Sequence, residues 1–74
     1  MNANELGAIL KEMYSNAPED ETVAMIHLFG VKYASEIEAA DCSRKDIAVA
    51  AEINESYGTE ISKGVRLARY VVPK

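Results

Sequence analysis

The chain has 74 residues, 49% of them hydrophobic, one cysteine and a formal net charge of −4. That length suits one domain with a marginal core, expected to cover residues 1–74, and the lone Cys42 excludes an internal disulfide or a cysteine-rich metal site. No apolar run approaches the roughly 20 residues that span a bilayer, and MNANELGAILKE lacks the basic leader of a secretory signal, so a reducing, cytoplasmic setting is expected.

The first predicted helix covers Asn2 to Tyr14. Asn2 with Glu5 three residues on has the spacing of a capping box, Asn4 being the alternative cap. Leu6, Ile9, Leu10 and Met13 recur at helical spacing and form one stripe. Ser15 to Pro18 is a turn. Pro18 is expected at the first position of the second helix, with Glu19, Asp20 and Glu21 in the first turn, where the macrodipole favours acids. That helix continues through Val23, Met25, Ile26, Leu28 and Phe29 to Gly30, the expected C-cap. His27 sits among these apolar residues as a structural histidine, because no second His, Cys or carboxylate cluster joins it in a metal or triad spacing. A short third helix follows from Val31 to about Asp41 with Tyr33, Ala34 and Ile37 inward, and Cys42 is a small half-buried residue at the next junction.

Ser43 and Asp46 form a second capping box, opening an alanine-rich fourth helix with Ile47, Ala48, Val49, Ala50 and Ala51. Ile53 fills the turn, and Asn54 is the expected cap of the last helix, which extends to Val72 before Pro73 stops it. On a helical wheel of about 100° per residue, this last segment divides into two faces. Tyr57, Ile61, Gly64, Val65, Ala68, Val71 and Val72 fall on one side as a core stripe. Thr59, Ser62, Lys63, Arg66, Arg69 and Tyr70 fall on the other, a cationic face read as free of acids. Residues 1–42 carry a net −6 and residues 43–74 a net +2, so a local positive field is set within an acidic chain.

Two helices joined by a tight turn, the first small-faced and the second cationic, describe a helix-turn-helix within an all-α bundle of four to five short helices. Ala48 is the small residue at the crossing, with Ile47, Ala51 and Ile61 inward. Two positions depart from the usual pattern. Glu52 stands where the turn usually carries glycine, and Gly58 where a β-branched residue usually packs. The runs LGAILKEMYSNAP, MIHLFGVKYASEI and INESYGTEISKGVRLARYV resemble the small bacterial and phage-associated proteins described as having a helix-turn-helix-like domain. The resemblance implies an all-helical fold and DNA binding, and carries over no catalytic residue or cofactor.

The expected partner is therefore duplex DNA. Thr59, Ser62, Lys63 and Arg66 would face the major groove, Arg44, Lys45 and Ser56 would reach phosphates, and Arg69 would add charge at the helix end, where it also suits the dipole. Tyr57 belongs to the core stripe rather than to a base stack. A homodimer is expected from the high apolar content, and a protein-interaction module without DNA binding is the alternative function. No enzyme is expected. Gly58 and Gly64 enclose TEISK with Lys63 before the second glycine, which is not a phosphate loop, and no triad, paired-carboxylate or zinc spacing occurs. No metal, cofactor, small-molecule substrate or membrane contact is expected.

Overall fold

A computed structural model describes residues 1–73. Five α-helices follow in order: α1 (Ala3–Ser15), α2 (Thr22–Lys32), α3 (Ala34–Ala39), α4 (Arg44–Ala50) and α5 (Gly58–Leu67). A single 3₁₀ turn, Glu55–Tyr57, precedes α5. The described residues contain no strand, so the fold is the small all-α bundle expected.

Both predicted capping boxes form. The Asn2 side chain accepts from the Glu5 N–H at 2.8 Å while the Asn2 N–H donates to the Glu5 carboxylate at 3.1 Å. Ser43 and Asp46 repeat the arrangement, both bonds being 3.1 Å. Each box pairs two backbone N–H donors that the helix start would otherwise leave open, with the side chains as acceptors.

The second helix starts later than its sequence suggests. Pro18 accepts from the Glu21 N–H at 3.0 Å, and Asp20 takes φ 65°, a left-handed conformation that ends any helix there. Pro18 to Glu21 is thus a turn, Thr22 is the first helical residue, and the acids lie outside the first turn of α2. Gly30 is not a cap either. It lies inside α2, which ends at Lys32 with Tyr33 as its C-cap, the Tyr33 N–H donating to the Phe29 carbonyl at 2.9 Å. The third helix is shorter than expected, Ala34–Ala39, with Ile37 as its one buried residue.

The core gathers Leu6, Leu10, Ile26, Phe29, Ile37, Ile47, Ala48, Ala51, Ile61 and Val65. Ile9, Met13, Ile53 and Tyr57 cover its edges, and Cys42 is half-buried as expected. The last helix is the largest correction. It ends at Leu67; Arg69 and Tyr70 then donate back three residues in tightened turns and Val71 four, and the chain is irregular from Val71. Val72 precedes Pro73, which disfavours helical backbone there. Val71 and Val72 are exposed and Tyr57 and Ala68 only half-buried, leaving Ile61, Gly64 and Val65 as the buried stripe.

The turn after α4 explains one departure from the usual pattern. The Glu52 N–H donates to the Val49 carbonyl at 3.0 Å, and the Ile53 N–H to the Ala48 carbonyl at 3.1 Å. These two bonds define a Schellman end, whose next-to-last residue is left-handed and usually glycine. Here it is Glu52, at φ 63°, and its carboxylate pairs with Lys11 of α1. That ammonium holds the Glu52 carboxyl below its ordinary pKa, chiefly through the hydrogen bond. Asn54 caps the 3₁₀ turn rather than α5 itself, accepting from the Ser56 N–H at 2.9 Å. The connection between α4 and α5, residues 51–57, is therefore longer than the three or four residues of a minimal helix-turn-helix.

Candidate nucleic-acid interface

α5 is held on two sides by glycines. Where it crosses α2, a Cβ placed on Gly64 would lie 2.4 Å from the His27 carbonyl oxygen and 2.9 Å from the Gly30 Cα. The two backbones are in contact there, and only glycine permits that approach. At the start of α5, a Cβ on Gly58 would lie 3.0 Å from the Lys45 backbone nitrogen. The second departure from the usual pattern thus has its own cause. The missing side chain lets the first turn of α5 lie against the first turn of α4. With Ile61 and Val65 buried, the opposite side of α5 is turned outward.

Thr59, Lys63 and Arg66 are exposed on that outward side, along a helix roughly 15 Å long. Ser62 is half-buried at its flank, and Arg69 is exposed in the turn beyond the helix. Arg44, Lys45, Ser56 and Thr59 collect around Gly58. The Thr59 hydroxyl donates to the Ser56 carbonyl at 3.0 Å, and Lys45 stands 3.7 Å from the Glu55 carboxylate. Arg44 is half-buried, and its Nε is enclosed without a hydrogen-bond partner. Lys63 and Arg66 lie farther along α5.

The cationic face is not free of acids. Glu60 projects toward α2, where its Oε1 lies 2.7 Å from His27 Nε2 and its Oε2 accepts from Lys63 Nζ at 3.1 Å. A carboxylate only accepts, so the His27 proton sits on Nε2 in this contact. The His27 hydrogen bond, with that of Lys63 second, holds the Glu60 carboxyl below its usual pKa. The i,i+3 spacing of Glu60 and Lys63 was visible in the sequence. Contact with His27, 33 residues away, was not.

Past Glu60, His27, Lys63, Arg66, Leu67 and Tyr70 line an open, almost wholly apolar groove of about 340 Å³. Leu67 is 43% and Tyr70 81% exposed, so apolar surface continues from the groove onto the end of the chain. Tyr57 faces the other way. Its ring lies 6.1 Å from that of Tyr14, whose hydroxyl raises the Tyr57 pKa above its ordinary value. Among the described residues, no three His, Cys, Asp or Glu side chains gather to hold a metal ion, and no helix is long and apolar enough to cross a membrane.

The family model of the HTH-like domain matches residues 2–74. The chain belongs to that family. No match was found among curated proteins, and none among solved structures. The helix pair that the sequence pattern singled out corresponds to α4 and α5.

Proposed function

We propose that this HTH-like domain binds duplex DNA through α5, as a non-enzymatic, cofactor-free regulator of transcription in the cytoplasm. The observation that carries this reading is the strip Thr59–Lys63–Arg66, which is exposed, absent from the core and placed on the second helix of the pair. Arg66 offers two parallel donors suited to a guanine edge, while Lys63 serves a base or a phosphate. Ser62 contributes from the flank. Arg44, Lys45, Ser56 and Arg69 lie at the two ends of the strip, where a duplex seated on α5 brings its phosphates. The short helix and the overall charge of −4 keep a single copy weak at physiological salt.

The test is a titration of wild type, Arg66→Ala and Lys63→Glu against duplex DNA at two salt concentrations, with bound sequences selected from a random pool. Arg66→Ala should weaken specific binding by about 1–3 kcal/mol without unfolding the domain. Lys63→Glu should weaken binding to every sequence. If wild type fails to bind even at low salt, the strip is a solvated surface only.

One observation favours a second reading, a protein-interaction or dimerisation module. DNA does not explain the apolar groove, or why Leu67, Tyr70, Val71 and Val72 stay exposed within six residues of chain. Because Lys63 and Arg66 also line this groove, a homodimer covering it would compete with duplex DNA. Mass measurement across a concentration series decides it. A chain that stays monomeric at high concentration removes the dimer, and Leu67→Ala with Tyr70→Ala should dissociate one that forms.

A further inference from the structure

Of the charges on the outward side of α5, one is cancelled in place. Both oxygens of Glu60 are engaged, one by His27 at 2.7 Å and the other by Lys63 at 3.1 Å. The Glu60 side chain is only 20% exposed, against 54% for Lys63, so the carboxylate is the fixed member of the pair and the ammonium the movable one. A phosphate approaching Lys63 must break its bond to Glu60. It then meets a carboxylate that cannot swing away, because His27 anchors it from α2. With His27 neutral, Glu60 and Lys63 together add no net charge to the strip, and Arg66 is left as the cation of α5 that no acid pairs among the described residues.

We propose that Glu60 is a positioning residue that restrains DNA binding: it holds Lys63 back and keeps a negative charge at the edge of the contact surface. This inference rests on the DNA reading above and deepens it. The restraint sets the balance between sequence-independent and sequence-dependent binding. Removing it strengthens phosphate attraction to any duplex, while the Arg66 contact to a base edge is unchanged. A weakened general attraction lowers affinity for every duplex by the same factor, so phosphates supply a smaller share of the binding energy while the ratio of specific to non-specific affinity stays with the Arg66 contact.

Glu60→Gln tests this, because the amide keeps an acceptor for His27 and removes the charge. One more phosphate contact steepens the slope of log K against log salt by about 0.9 and tightens non-specific binding on the order of tenfold at about 50 mM salt. Adding Lys63→Ala to Glu60→Gln should return both affinity and slope to near wild type. Glu38→Gln, an exposed acid of α3, is the control for loss of one charge elsewhere and should move neither by much. Circular dichroism melts confirm folding, and Glu60→Ala is carried in parallel should the amide fold poorly. A purely structural Glu60 would change the melt and leave the salt slope alone. If wild type binds and the Glu60 variants bind equally or more weakly with the same slope, the restraint is overturned and the DNA reading stands. If neither wild type nor variants bind at low salt, both fall.

Discussion

Gly64→Ala is the substitution on which this fold bears most directly, because helix propensity and packing pull it in opposite directions. In an exposed helix interior, alanine is favoured over glycine by about 1 kcal/mol. Here the new methyl would stand 2.4 Å from the His27 carbonyl oxygen and 2.9 Å from the Gly30 Cα. Non-bonded carbon and oxygen settle no closer than about 3.3 Å, so α2 and α5 must part by nearly 1 Å. Both obstructions are backbone, and no side-chain rotation relieves them. Overpacking of this kind costs about 1–3 kcal/mol and occasionally more, and separation also loosens Ile26, Phe29 and Ile61 beneath the crossing. Because both obstructions are backbone, the upper end of that range, about 3 kcal/mol, applies, and against the propensity gain it leaves a net loss of about 2 kcal/mol. For a domain of this size, that lowers the melting temperature by about 8–16 °C. Gly30→Ala should act similarly, since its methyl would meet the Ile61 carbonyl at 2.6 Å, and the double variant should cost less than the two losses added. Thermal melts followed by circular dichroism read all three. A Gly64→Ala protein that melts at or above wild type would show that the helices do not cross this closely.

Ile61→Ala empties the centre of the α5 stripe and should cost about 2–5 kcal/mol in urea denaturation; a loss below about 1 kcal/mol would place Ile61 outside the core. Glu52→Gly should be neutral or stabilise by about 0.5 kcal/mol, since glycine suits φ 63° and the ion pair lost to Lys11 is exposed. Destabilisation by more than about 1 kcal/mol would mean that the link to α1 outweighs the backbone. Glu60 has a folded-state pKa below its unfolded 4.5, so its contribution to stability is complete above that value and is lost as pH falls through the folded one. The stability gap between wild type and Glu60→Gln should therefore be present near neutral pH and close in acid, as pH falls through the lowered Glu60 pKa. A gap that persists unchanged into acid would assign it to packing.

The parts of this fold that were legible from sequence were those fixed by local chemistry. Asn2–Glu5 and Ser43–Asp46 are satisfied within three residues, so their spacing alone announced two helix starts. Ile47, Ala48, Ala51 and Ile61 follow helical periodicity and proved buried. What failed depended on distant backbone. Gly30 looked like a cap because glycine commonly ends helices; its role became visible only with α5 against it. Pro18 was a plausible helix start until Asp20 took a left-handed turn, and Val71 and Val72 matched the core stripe on a helix that ends four and five residues before them, at Leu67. At the candidate interface, the exposure of Thr59, Lys63 and Arg66 followed from periodicity. The half-burial of Ser62 and the position of His27 did not.

The same close crossing that fixes the fold also sets the charge of the proposed contact strip. Because Gly64 admits the α2 backbone to within contact distance, α5 lies deep enough for Glu60 to reach His27 on the neighbouring helix. Were the helices separated by an ordinary side chain, Glu60 would keep only its i,i+3 partner, an exposed pair worth a few tenths of a kcal/mol and easily exchanged for a phosphate. The anchored carboxylate is thus a product of two glycines that are not themselves on the surface. It follows that Gly64→Ala, read first as a packing change, should also release Glu60 from His27. In whatever fraction remains folded, the salt dependence of DNA binding should then move toward that of Glu60→Gln, linking a core substitution to a surface charge through one helix crossing.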